Sequence, residues 1–317
     1  MVLTSIKGVC DMVSGQIKPI RKVHKTGKES DTLIGLFFIF PFIALWFIWF
    51  FLPFMQSFIR SFQDANFISL EDAKFIGLTN YINILKDPEF HSALLHSVII
   101  VAVSVPAITI LSLLIALAVN QNIMAKGLFR TIYVVPYITS PIAAATVFMV
   151  LFRKDNLMAK AMSVFGFPNT TWFSDVNLAL FFVIILFVWW QVGFFVIIYL
   201  AGLQDVPKEL YEAATVDGAG TFRRFLNITV PSLKPVTFFV VTVVTIYAFQ
   251  IYDQVAAISR YGVLGQPAGR TTTIITYFIQ HGIRYMEIGY GCAAVVIFTL
   301  IILAVTFIQK ILIGKED

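Results

Sequence analysis

The chain predicts an all-α membrane fold of about six helices, on three observations. Of its 317 residues 58% are hydrophobic and only 13% charged, an apolar load that a water-soluble domain of this size could not bury. Charge-poor runs of roughly 20 residues recur along it, each long enough at about 1.5 Å per residue to cross a hydrocarbon core about 30 Å thick. Polar, Gly-containing or Pro-containing segments bound every run, as they must where backbone leaves a membrane.

The first run, 33–52, contains no charge and follows a basic tail, 1–32, that carries Lys18, Arg21, Lys22, Lys25 and Lys28. That tail is too long and too charged for an ordinary cleaved signal peptide, so the first span is expected to remain as an anchor. Further spans are expected at about 97–119, 131–152, 178–203, 236–252 and 288–308, making 33–313 one transmembrane domain. Pro41, Pro106, Pro136 and Pro141 interrupt these runs and mark candidate kinks.

Lys and Arg counts orient the chain. With the N-terminus cytoplasmic, 14 of the 23 basic residues fall on that side and 9 on the other, which assigns both termini to the cytoplasm.

Several function classes find no support in the residues. Cys10 and Cys292 lie at opposite ends of the chain, and His24, His91, His96 and His281 form no metal-type pair, so neither disulfide nor metal chemistry is indicated. The net charge of +5 is spread over short loops and one tail, which reads as membrane orientation and not as a nucleic-acid surface. Spans one to four hold almost no charge, so the relay of an ion-coupled secondary transporter is not visible. A membrane-embedded enzyme would need convergent catalytic groups at membrane depth, and none stand there. The chain has no ATPase loop: Gly27-Lys28 is followed by Glu29 and lacks the preceding glycine of a phosphate cradle.

The loop 205–231, between the fourth and fifth spans, is the one long polar insertion with internal order. Pro207 suits a first helical turn, Glu209 and Glu212 favour its N-terminal half, and Gly218 with Gly220 can end it. Thr221 is expected to cap a second short helix, on which Phe222, Phe225 and Leu226 recur at three- and four-residue spacing and would brace the loop against the membrane helices. Ala213 and Ala214 leave the first helix thin enough for close docking on another protein, while the plain alternative is an ordinary helical connector.

The arrangement Glu212-Ala213-Ala214, Asp217-Gly218, Ile228, Val230-Pro231 resembles the EAA loop of bacterial ABC importer permeases, with Val230 where that pattern prefers leucine. Similarity to the maltose- and lactose-type sugar permeases extends to Phe75–Tyr81, Phe129–Pro136, Ala201–Gln204 and Ala248–Gln254. The resemblance implies a type I importer permease in the bacterial cell membrane, pairing with a second related permease, two ATPase subunits and an extracytoplasmic solute-binding protein. It implies no cofactor on this chain, with ATP and Mg used by the ATPase subunits, and a coupling role for Glu212, Ala213, Ala214, Asp217, Gly218, Ile228 and Pro231.

Sugars are held by aromatic faces and neutral hydrogen-bonding groups, which are costly to bury unless they face a cavity or a partner. Tyr247, Gln250 and Gln254 fall at helical spacing in span five, with Tyr252 and Asp253 beside them, and Trp189, Trp190 and Gln191 form a polar-aromatic island in span four. Trp190, Gln191, Tyr247, Gln250, Tyr252, Asp253 and Gln254 are thus candidates for a substrate pathway. The alternatives are interfacial anchoring for the Trp pair and helix-to-helix bridging for the Gln. No Lys or Arg cluster lies within a span, which favours a neutral saccharide, while Arg260, Arg270 and Arg284 in the last outer loop keep glycerol phosphate or an acidic oligosaccharide open.

Overall fold

The computed structural model describes residues 28–68, 70, 72–121, 126–259 and 263–314. Most of the basic tail, and Arg260, lie outside the described residues. The chain divides into two compact units, 1–55 and 56–317.

In the first unit the helix Lys28–Trp46 passes into a π-helical turn, Phe47–Phe51. The most hydrophobic stretch of the span Ile34–Arg60 has none of its residues buried within the chain, the property of a helix whose solvent is lipid or a partner.

Four further segments of the second unit have the length and composition of spans: the helices Pro88–Asn120, Ala179–Asp205 and Ile288–Leu312, and the interrupted segment Lys234–Ile258. Pro88–Asn120 begins nine residues before the expected span at 97 because hydropathy registers only the stretch within hydrocarbon. Its polar first turns are set by Pro88 and by Asp87, whose side chain accepts a hydrogen bond from the Glu89 amide at 2.8 Å.

The expected continuous span 131–152 is instead two helices, Thr131–Ile138 and Pro141–Leu151, bent by 107° at Thr139-Ser140. Pro141 starts the second helix, where its missing N–H costs nothing, and the residue before it leaves helical geometry. Pro41 and Pro106, by contrast, lie inside helices that continue past them.

The fourth span is the centre of the second unit, with Phe182, Leu186, Phe195, Val196 and Tyr199 fully buried. Ile100, Ile108 and Ala116 of the second span and Val240, Val244 and Ala248 of the fifth join the same core. Lipid is as apolar as these side chains, so close packing and not the hydrophobic effect must hold such helices together. Gly193 shows the consequence: a Cβ there would lie 1.6 Å from the Tyr133 carbonyl oxygen, so only glycine lets the fourth span sit against the backbone of the third.

Outside the membrane, a short antiparallel pair, Gln63–Asp64 with Lys74–Phe75, and the helix Thr79–Lys86 precede the second span. The Gly289 amide, at the start of the sixth span, donates to the Ala65 carbonyl at 2.9 Å, tying this first outer segment to the last one.

Candidate functional site

The fifth span does not run through as one helix. Its first part, Lys234–Phe249, ends at Gln250; Ile251 and Tyr252 are non-helical; and a short helix, Asp253–Ile258, restarts the chain. Tyr247, Gln250 and Gln254 therefore do not share one helical face, and the three- and four-residue spacing that joined them in the sequence is corrected here. The break reorients the backbone between them, and the Ile251 carbonyl it releases accepts a hydrogen bond from Thr273 Oγ1 at 3.2 Å.

The bend of the third span lies beside this break. Pro141–Leu151 packs against Asp253–Ile258. The carbonyl of Thr139, at the bend, accepts a hydrogen bond from the Trp190 indole N–H at 3.0 Å. Irregular backbone at membrane depth persists where it lines a cavity or is buried in protein, and here the two interruptions enclose one cavity of about 310 Å³.

All seven pathway candidates line that cavity: Trp190 and Gln191 from the fourth span, and Tyr247, Gln250, Tyr252, Asp253 and Gln254 from the broken fifth. Gln191 is only 2% exposed, and its Oε1 is buried without a hydrogen-bond partner. A buried acceptor left unpaired is costly to the fold. Asp253 is the one acidic group in the lining, and no Lys, Arg or His stands among the described residues there. The neighbouring Trp189 faces elsewhere, 42% exposed and packed on Phe148 at 4.8 Å between ring centroids, so the polar-aromatic island of the fourth span is split between two surfaces.

Sequence reasoning missed Tyr137, Pro141, Phe187 and Ile251, which complete the wall. Tyr137 stacks on Phe194 at 4.7 Å and lies 5.4 Å from the Trp190 ring, making an aromatic platform at the bend. Pro136 and Pro141, on either side of it, were the available signal, but proline alone does not say which way a helix turns.

The loop 205–231 forms the helix Lys208–Val216, which Pro207 precedes. Its end is a Schellman motif: the Ala219 amide donates to the Ala214 carbonyl at 2.8 Å and the Gly218 amide to Thr215 at 3.1 Å, with Gly218 at φ +74°. Glu212, Ala213, Asp217, Gly218 and Pro231 are exposed, and Ala214 and Ile228 half-buried. Thr221 does not cap the next helix; Gly220 occupies that position and no side chain closes it.

The expected apolar brace is only partly formed. The helix Thr221–Arg224 lasts four residues before a π-helical turn, Phe225–Thr229, changes the angular phase. Phe222 is consequently 73% exposed and Leu226 47%, while Phe225 is half-buried in a groove with Leu117 and Leu203. Polar links tie the two arms instead: Tyr211 Oη to Thr229 Oγ1 at 2.9 Å, and Arg224 Nη1 donating to Thr215 Oγ1 at 2.9 Å.

Comparison with known proteins gives a consistent result. Residues 85–315 match the family described as binding-protein-dependent transport system inner membrane component. The arabinooligosaccharides transport system permease protein AraP of Bacillus subtilis (strain 168) is 33% identical over 316 residues, covering 95% of this chain and 97% of the relative. The trehalose/maltose permease protein MalF of Thermococcus litoralis is 31% identical over 88% of this chain and 92% of its own. The sn-glycerol-3-phosphate permease protein UgpA of Yersinia pestis is 32% identical over 86% and 90%. A chain of the bacterial alginate ABC transporter, crystallised with an alginate pentasaccharide-bound periplasmic protein, shares the fold at a TM-score of 0.73 and 19% identity, over 92% of this chain and 96% of that one.

Proposed function

The chain belongs to the family of binding-protein-dependent transport system inner membrane components, and we propose that its cavity at the paired helix breaks carries a neutral sugar or oligosaccharide across the membrane. The observation that carries the proposal is one cavity at the two breaks that gathers the amides Gln191, Gln250 and Gln254 with the aromatic rings Tyr137 and Trp190. Amide groups exchange hydrogen bonds with hydroxyls, and aromatic faces cover the C–H surface of a sugar ring.

Charge argues for a neutral substrate. A phosphate or carboxylate entering the cavity would meet the Asp253 carboxyl and no cationic side chain, a like-charge approach in a medium that screens little. The relatives that name arabinooligosaccharides and trehalose or maltose support this reading; the one that names sn-glycerol-3-phosphate keeps the anionic alternative as an outcome of the test.

The chain itself binds no nucleotide in this proposal. ATP and Mg are used by two separate ATPase subunits, a second related permease completes the pathway, and an extracytoplasmic solute-binding protein delivers the sugar. The exposed helix Lys208–Val216, with Glu212, Ala213 and Ala214, docks on an ATPase subunit, and Asp217, Gly218, Ile228 and Pro231 hold the geometry of that contact. The experiment is uptake into vesicles holding the reconstituted complex, with neutral oligosaccharides and glycerol phosphate offered in parallel. ATP-dependent entry of a neutral saccharide is the expected result; entry of glycerol phosphate alone would reverse the substrate reading.

A further inference from the structure

A second polar cavity, of about 380 Å³, opens where the first and last outer segments meet, lined by Asp64, Asn66, Asn80, Asn83, His281, Glu287 and Tyr290 together with Ala65. None of these residues belongs to the pathway cavity.

The site is built, not incidental. Asn80 is only 7% exposed, and its Nδ2 is spent on the carbonyls of Ser61 and Gln63, each at 3.0 Å. A nine-tenths-buried amide, fixed through its Nδ2, thus stands in the cavity wall. Within the lining, His281 Nδ1 lies 3.2 Å from the Glu287 carboxylate, and the His281 ring is packed 5.2 Å from that of Tyr290. Hydrogen bonds from the Gly289 amide to Ala65 at 2.9 Å and from the Phe67 amide to Met286 at 3.0 Å lock the two walls together.

The lining shares amides, tyrosine and carboxylate with the pathway cavity and has no Lys or Arg among the described residues; it differs in His281, which is engaged by Glu287. Carboxylate and amide oxygens accept from hydroxyls, the Asn83 amide donates, and Tyr290 offers an aromatic surface. An anion is disfavoured by Asp64 and Glu287. We propose that this outer cavity is a second saccharide subsite, which holds a distal unit of an oligosaccharide on the extracytoplasmic side while another part of the chain enters the membrane. The proposal rests on the saccharide reading above and adds to it a preference for longer substrates.

The test uses the full reconstituted complex with its solute-binding protein, and compares KM for maltose and maltotetraose, and for arabinobiose and arabinotetraose. Asp64 and Asn83 are exposed, so Asp64→Ala with Asn83→Ala removes two ligand contacts without opening the core. The expected result is a rise of about five-fold or more in the ratio of tetrasaccharide to disaccharide KM, with no such rise for Lys86→Ala, which lies outside the cavity. An unchanged ratio in a transport-competent complex overturns the subsite alone. A parallel rise in both KM values together with weakened capture of the binding protein also overturns it, because the surface then serves protein docking. Failure of the unmodified complex to take up any neutral saccharide defeats the functional reading and the subsite with it.

Discussion

Gln191 separates stability from function more cleanly than any other cavity residue. Its Oε1 is buried and unpaired, an arrangement that costs the fold on the order of 1–3 kcal/mol. Gln191→Leu removes that cost with little change in volume. The thermal midpoint of the purified complex is expected to stay level or rise, while KM for the transported sugar increases about three- to ten-fold, the worth of one hydrogen bond. A lowered midpoint with unchanged KM would mean that the amide serves packing. Residues of this kind are legible in a sequence because an amide within an apolar run needs a reason. Tyr137 is not, because an aromatic residue in an apolar run needs none, and only the bend at Thr139-Ser140 turns it toward the cavity.

At the scale of elements, the end of the helix Lys208–Val216 depends on Gly218. A Cβ at that position would meet no atom within 4 Å, so space is not the constraint; the φ of +74° is. Gly218→Val places a β-branched residue in left-handed geometry, costing about 1–2 kcal/mol, and redirects the docking helix. Copurification of the ATPase subunit and substrate-stimulated ATP turnover are expected to fall in Gly218→Val and to survive largely in Gly218→Asn, since asparagine tolerates this geometry. Equal loss in both variants would indicate that the side chain itself, and not the backbone, is what the contact reads. The turn was legible from glycine placement and spacing. The brace was not, because the π-helical turn Phe225–Thr229 shifts the phase on which the Phe222, Phe225 and Leu226 spacing relied.

The outer segment carries its own pH dependence. Burial pushes the Asp87 carboxyl up, but hydrogen bonds from Tyr277, the Glu89 amide and Tyr290 outweigh it and hold the group below its ordinary value of 3.8. A depressed carboxyl contributes stability that is present above its unfolded pKa and lost as pH falls through the folded one. The unmodified protein is therefore expected to lose thermal stability below about pH 4 more steeply than Asp87→Asn, when midpoints are followed across the acid range. Parallel curves would remove Asp87 from the account.

For the whole molecule, the count of spans follows from run length and charge because the bilayer imposes one requirement on every crossing. Where a span is interrupted does not follow, because run length and charge carry no record of backbone direction at Thr139-Ser140 or Gln250–Tyr252. Those breaks create the cavity: the third span lends its bend, the fifth its non-helical backbone, and Gly193 holds the third against the fourth. The functional reading thus stands on two discontinuities facing one another. The most direct test is chemical access to Gln250, at the rim of the fifth-span break. In a complex lacking Cys10 and Cys292, Gln250→Cys is expected to react with a small membrane-impermeant thiol reagent and to be protected by a transported neutral saccharide. A cysteine at Gln250 that labels equally with and without saccharide, in a complex that still transports it, would contradict the pathway.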